Sequence, residues 1–237
     1  VRPLEAYRRR PRRIPRAPAA ALALAVAGVL VLDRLLPPPL PSTVEVSRVV
    51  RDRHGLVLRT FPVDGGRWRL PADLDRIDPA FVEALVAYED ARFFIHPGVD
   101  PLAVARAVRD AVTAGRIVSG ASTLTMQLAR LLEPRPRTVA AKLVETLRAV
   151  QLELRLSKRE ILEAYLTVAP YGGNLQGVRA ATRAWFGREP DSLSIEQIAL
   201  LLALPQAPEA RRPDRRPRQA VAARGRVLER LAALGLA

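Results

Sequence analysis

From Pro79 to the last residues, apolar side chains recur at helical spacing almost without interruption, and that periodicity restricts most of the chain to an α-helical fold. Pro79 opens a helix that carries Phe81, Leu85, Val86 and Tyr88 on its apolar side and runs to Glu89. Asp100-Pro101 caps a second, whose apolar face includes Leu102, Val104, Ala105 and Val108 and which ends near Gly115. Arg116 to Ser122 reads as a loop bent at Gly120, suited to a flexible flap over a substrate. A helix over Thr123 to Leu132 follows, Pro134 and Pro136 break it, and another runs from Thr138 to Leu156. Ser157 and Glu160 have capping-box spacing ahead of Ile161, Leu162, Tyr165 and Leu166. Further helices are expected over Gly177 to Gly187, Ser194 to Leu204 and Gln219 to Leu234, with an exposed basic loop at Arg211 to Arg218. The expected fold is a globule of eight to ten helices.

The first 78 residues are different. Seven arginines lie between Arg2 and Arg16 against one acid, Glu5, and Ala19 to Leu32 then contains only Ala, Leu, Val and Gly. Extended to Leu36, this run approaches the ~20 residues that a bilayer crossing needs. A basic tail at 1–16 and a transmembrane anchor at 17–36 are therefore expected, with the arginines holding the N-terminus in the cytoplasm and everything after residue 36 outside. A cleaved signal peptide is the rival reading. It wants small residues after the apolar run, where this chain has Asp33, Arg34, Leu35 and Leu36 before Pro37. Residues 37–78 then read as a proline-rich linker and a β-hairpin, with alternating apolar residues from Val44 to Phe61 around the turn Asp52-Arg53-His54-Gly55. Trp68 and Leu70 read as cover for the domain edge, with sugar stacking by Trp68 as the alternative.

Composition excludes several classes of function. The formal net charge of +14 suits nucleic acid, an anionic membrane face or a phosphate-bearing substrate equally well. An apolar run directly behind the arginine-rich tail argues against nucleic acid. There is no cysteine, and His54 and His96 are the only histidines, which speaks against a zinc enzyme. His54 reads as a turn residue and His96 as a brace for the loop it sits in.

Two stretches carry chemistry. Glu89-Asp90-Ala91-Arg92-Phe93-Phe94-Ile95-His96-Pro97-Gly98 places an acid pair at the end of an apolar helix. A carboxylate against apolar walls is suited to proton transfer near neutral pH, so Glu89 is the first candidate catalytic residue; a solvated or arginine-paired acid is the alternative. Gly120 to Gln127 brings hydroxyls and an amide to a helix start, although Ser122 reads equally as a plain cap. Lys142, Glu145 and Arg148 occupy neighbouring helical turns, where i to i+3 pairing on a solvated face is the simplest reading.

Together these stretches resemble the peptidoglycan glycosyltransferases, glycosyltransferase family 51. The family's first motif, E-D-x-x-F-x-x-H-x-G, is matched by Glu89, Asp90, Phe93, His96 and Gly98. The second, G-x-S-T-x-T-x-Q, is matched by Gly120, Ser122, Thr123, Thr125 and Gln127, with Met126 where many members carry a second Gln. R-K-x-x-E survives as Lys142 and Glu145 with Ala141 in place of Arg, and K-x-x-I-L-E-x-Y-L-N runs from Lys158 to Leu166 with Thr167 in place of Asn. A last motif is blurred around Arg224 to Leu228.

The resemblance implies a lysozyme-like domain over 79–237 that polymerises lipid II into β-1,4-linked glycan and releases polyprenyl pyrophosphate. Glu89 would be the general base, and Glu145 would orient the cationic group or hold a divalent ion. Arg130, Arg137 and Lys142 would meet the pyrophosphate charge, and Asp90, Ser122 and Gln127 would bind substrate. The resemblance implies no required cofactor, with Mg or Mn able to be accommodated, and a pyrophosphate site that lacks the arginine usual at Ala141. The implied partners are lipid II, the nascent strand, the membrane and other cell-wall synthesis proteins, and the implied location is the outer face of the bacterial cytoplasmic membrane. A lysozyme-like hydrolase and a non-catalytic membrane-tethered scaffold are the rival functions. Neither Lys142 nor Lys158 follows a Ser by three places, since Val139 and Arg155 stand there, so covalent labelling by a β-lactam is not expected.

Overall fold

A computed structural model of the chain describes residues 33–114, 122–136 and 138–237, together with Gly28 and Val31. The chain divides into two compact units, Val1–Pro37 and Pro38–Ala237. In the first, Gly28, Val31 and residues 33–35 are helical. The basic tail, most of the expected anchor and all but Ser122 of the loop expected at Arg116 to Ser122 lie outside the described residues. Among the described residues no helix is long and apolar enough to cross a membrane.

The second unit is mostly helical with two small sheets. Arg48–Arg51 (β1) and Val57–Phe61 (β2) form the expected antiparallel hairpin, irregular between Val50 and Arg51. Asp52 Oδ1 accepts from the backbone N–H groups of His54 and Leu56 at 2.8 Å each, and Gly55 turns the chain at φ 82°. Trp68–Arg69 (β3) pairs in parallel with Leu175–Gln176 (β4), two short strands that no alternation in the sequence announces.

Eight α-helices follow among the described residues: α1 (Pro79–Glu89), α2 (Pro101–Ala114), α3 (Leu124–Leu132), α4 (Val139–Glu153), α5 (Lys158–Val168), α6 (Val178–Phe186), α7 (Ile195–Ala203) and α8 (Pro217–Ala233). Their starts are fixed locally. Asp78 caps α1 through Ala80 N at 2.9 Å, and its other oxygen accepts from Leu193 N at 2.7 Å. Ser157 with Glu160, and Ser194 with Gln197, form complete capping boxes on α5 and α7. The final helix begins two residues earlier than expected because Pro217, inside the expected basic loop, occupies its first turn.

The core centres on α3, which packs on both α4 and α5, while α7 lies along α8 and α1 contacts both of these. Phe81, Phe93, Leu124, Leu128, Leu152, Ile161, Leu166, Leu201 and Leu204 are fully buried there. Burying each large aliphatic or aromatic side chain stabilises the unit by roughly 1.5–3 kcal/mol. The expected apolar face of α2 is not in this core: Leu102 is 58% exposed and Val104 39%.

A charged latch closes the α6 end. Glu189 accepts from Arg179 Nε at 3.0 Å and pairs with Arg183, while Arg179 also donates to Pro71 O at 3.0 Å. Partial burial pushes the Glu189 carboxyl up, but the two arginines outweigh it and hold the group below the ordinary carboxylate range. The latch therefore adds stability that is fully present above the unfolded value of about 4.3 and is lost as pH falls through the lower folded value. Glu189→Gln is expected to flatten the acid limb of a stability-against-pH curve measured by urea unfolding; an unchanged limb would show that the latch contributes nothing.

Candidate active site

The end of α1 and the start of α3 are tied together by the acid next to Glu89. Asp90 is buried, and its carboxylate accepts from His96 Nε2 at 2.9 and 3.1 Å and from Leu124 N at 2.9 Å. His96 Nδ1 accepts from Gly98 N at 3.2 Å, so the ring proton on Nε2 faces Asp90. Thr123 caps α3, accepting from Met126 N at 3.1 Å and donating to Gly98 O at 2.6 Å. Lys158, at the start of α5, donates to His96 O at 2.7 Å, pairs with Glu153 at 2.7 Å and lies 4.4 Å from the Phe93 ring centre. Asp90, Phe93, His96 and Gly98 thus hold the turn after α1 against α3 and α5. Asp90, expected to contact substrate, has both oxygens engaged by His96 and Leu124, and it also lines the cleft beside Glu89.

Glu89 stands at the open edge of this frame. Its Oε2 accepts from Gln127 Nε2 at 2.9 Å, and its Oε1 accepts from Gln206 Nε2 at 3.1 Å. Gln127 Oε1 accepts in turn from the Tyr165 hydroxyl at 3.3 Å. Burial, reinforced by the negative charge of Glu89, pushes the phenols of Tyr165 and Tyr171 up, so both stay protonated donors. Arg130 acts in the opposite sense on Tyr165, which places it, one helical turn beyond Gln127, in the same neighbourhood; it forms no ion pair with the described residues.

A cleft of about 290 Å³ opens beside Glu89, lined also by Arg92, Asp100, Arg106, Ser122 and Thr123. Ser122 links it to α4, because its hydroxyl accepts from Lys142 Nζ at 2.7 Å. Lys142 pairs at 3.0 Å with Glu145, whose side chain is only 10% exposed while that of Lys142 is 42% exposed. The pair is therefore no solvated helix face: a largely buried carboxylate holds a lysine that reaches Ser122 on the cleft wall. Arg148 pairs with Glu133 at 2.9 Å instead, and hydrogen bonds from Arg135 and Arg148 outweigh the upward push of burial on the Glu133 carboxyl, keeping it low. Ala141 is buried at the base of α4. Arg137 and Gly120 lie outside the described residues.

One oxygen of Glu145 is taken by the Lys142 ammonium. Among the described residues no group of three or more His, Asp or Glu side chains stands together, so the described residues offer no all-protein ion cage.

The structure thus gathers Glu89 with Gln127, and Ser122 with Lys142 and Glu145. Sequence reasoning missed Gln206, Arg211 and the part played by the Tyr165 hydroxyl. Gln206 follows Pro205 in a 3-10 turn at residues 204–206, where no periodicity or spacing marks it.

Comparison with known proteins bears on the same segment. The model of the family described as Transglycosylase matches residues 54–232. Penicillin-binding protein 1C of Escherichia coli (strain K12) is 50% identical over 204 residues, covering 86% of this chain and 26% of that protein. Penicillin-binding protein 1A of the same organism is 36% identical over 217 residues, covering 88% and 25%, and that of Aquifex aeolicus (strain VF5) is 39% identical over 174 residues, covering 73% and 24%. The chain spans about a quarter of the length of these relatives.

Proposed function

This chain belongs to the transglycosylase family, and from that membership and the geometry of the site we propose that it polymerises lipid II into β-1,4-linked glycan, releasing polyprenyl pyrophosphate. The observation that carries the reading is the placement of Glu89: an acid held by two amides at the edge of a cleft whose other wall leads through Ser122 to Lys142.

Glu89 takes the proton from the acceptor sugar's 4-hydroxyl as that oxygen attacks the anomeric carbon of the donor. The bond from that carbon to the lipid pyrophosphate breaks, and attack from the opposite face turns an α-linked donor into a β-linked product. Negative charge grows on the departing pyrophosphate. Lys142, held at 3.0 Å by Glu145, and Arg130, which spends its charge on no described acid, supply fixed positive charge to meet it. Arg137 would join them by its place in the sequence. Ser122 orients the lysine, and Gln127 orients the base. Asp90 acts through His96 and Leu124 as a positioning residue.

The surroundings support a substrate with a lipid tail. Phe94 and Ile95, a few residues past Glu89, are 62% and 73% exposed, and an apolar hollow of about 510 Å³ lined by Val82, Val86, Ala91 and Phe94 lies next to them. In this reading residues 1–16 are the cytoplasmic tail, 17–36 the anchor, 37–78 the linker and hairpin, and 79–237 a lysozyme-like catalytic domain on the outer face of the membrane. The family match begins earlier, at residue 54.

Incubation of the purified chain in detergent with fluorescent lipid II should give a ladder of polymer on a gel, digestible by a muramidase. Unchanged lipid II would overturn the proposal.

A further inference from the structure

We propose that Gln206, oriented by Arg211, is a positioning residue for Glu89 that holds Oε1 ready for the acceptor hydroxyl. The inference rests on Glu89 being the base of the proposed transfer.

The orientation of an amide is set by what its oxygen meets. Gln206 Oε1 accepts from Arg211 Nη1 at 3.0 Å, and the same nitrogen donates to Ala203 O at 2.6 Å, at the end of α7. A guanidinium only donates, so the amide oxygen must face Arg211 and the NH₂ must face Glu89. The Tyr165 hydroxyl does the same for Gln127 on the other side. Glu89 is therefore bracketed by two amides, each fixed in orientation from behind by a donor, and its carboxylate can rotate only by breaking one of the two bonds.

The two arms differ in what surrounds them. Gln127 projects from α3 in the core, whereas Gln206 is exposed at the end of the 3-10 turn 204–206, whose first residue, Leu204, is fully buried. The turn is anchored while its last side chain faces solvent. The Oε1 side is thus the side that a second sugar can reach, and Gln206 can yield or share that oxygen as the hydroxyl arrives.

Charge near the carboxylate offers a readout that a purely structural role would not move. Tyr165 and Tyr171 face Glu89 and stay neutral, Asp90 is committed to His96, and the cations nearby are Arg130 on α3, Arg211 behind Gln206, and Arg92, Arg106 and Arg230 around the cleft. Asp100, also on the cleft wall, is paired with Arg92 at 3.2 Å. In Gln206→Glu the new carboxylate would sit between Arg211, which offsets part of its charge, and Glu89, whose charged form the remainder disfavours.

The test is steady-state polymerisation of fluorescent lipid II by the full chain in detergent, from pH 5 to 9, with thermal midpoints as the folding control. Gln206→Ala should lower kcat about 10-fold with KM unchanged, the loss expected for one hydrogen bond to a charged group. Arg211→Ala should lower it by a similar factor, and the double variant should be no worse than either single one, since both act through one contact. Gln206→Glu should move the acid limb of the kcat profile up by about one pH unit. Equal kcat and an unmoved acid limb in the Gln206 variants, with wild type active, would overturn the inference and leave the proposed function standing. A wild-type chain that makes no polymer would overturn both.

Discussion

Exchanging Glu89 for Gln is expected to slow polymerisation of lipid II about 1,000-fold at pH 7, within the ~10²–10⁴ that a positioned general base contributes. The substitution keeps the volume of the side chain, so packing at the end of α1 survives. It removes the proton acceptor and also reverses one side of the local hydrogen bonding. Gln127 Nε2 and Gln206 Nε2 both point at residue 89, and an amide there can accept from one of them only by turning its own NH₂ toward the other. The rate should fall in kcat while the thermal midpoint moves by no more than a few degrees. Activity within 10-fold of wild type would remove Glu89 from the role of base.

The second large effect concerns stability. Gly98 has φ +89°, and a Cβ added there would lie 2.7 Å from Ala149 O and 2.8 Å from its carbonyl carbon. These are backbone atoms of α4, which cannot step aside as the tip of a side chain can. The residue is also bound on both sides, by its N–H to His96 and by its carbonyl to Thr123. Gly98→Ala therefore has no relaxed arrangement, and a loss of at least ~3 kcal/mol is expected from backbone strain and displacement of the helix together. For a unit of about 200 residues that corresponds to a fall of roughly 10 °C in Tm. Because the same turn carries Asp90 and His96, the variant should lose activity as well, even below its melting temperature. A Tm within 2 °C of wild type would show that the close approach of Gly98 to α4 is not a constraint.

Features settled by neighbouring residues were readable from the sequence. Asp78-Pro79, Thr123, Ser157 and Ser194 each cap a helix within three residues, and the helices begin where those residues stand. Glu89 stood out as a candidate because an acid at the end of an apolar helix is conspicuous in one dimension, and α1 does end there. What Lys158 does was not: its ammonium reaches His96 O and the Phe93 ring, more than 60 positions away, and no local pattern encodes that. The β3–β4 pair joins residues 68–69 to 175–176 with strands too short to alternate. Lys142 and Glu145 looked like an ordinary surface pair because i to i+3 spacing does not say whether a helix face is covered; the burial of Glu145 and the reach to Ser122 set the pair apart. Gln206 was invisible for the same kind of reason, since its partner is 117 residues earlier in the chain.

We propose that an acid at position 89 and positive charge around Lys142 join sugars by displacing a lipid pyrophosphate. The most direct measurement is the product balance of the purified chain acting on lipid II, with the anomeric configuration of the new linkage read by NMR. One polyprenyl pyrophosphate released for each new β-1,4 bond, with no sugar reducing ends set free by water, is the result predicted. Reducing ends appearing from preformed glycan while lipid II remains intact would contradict it.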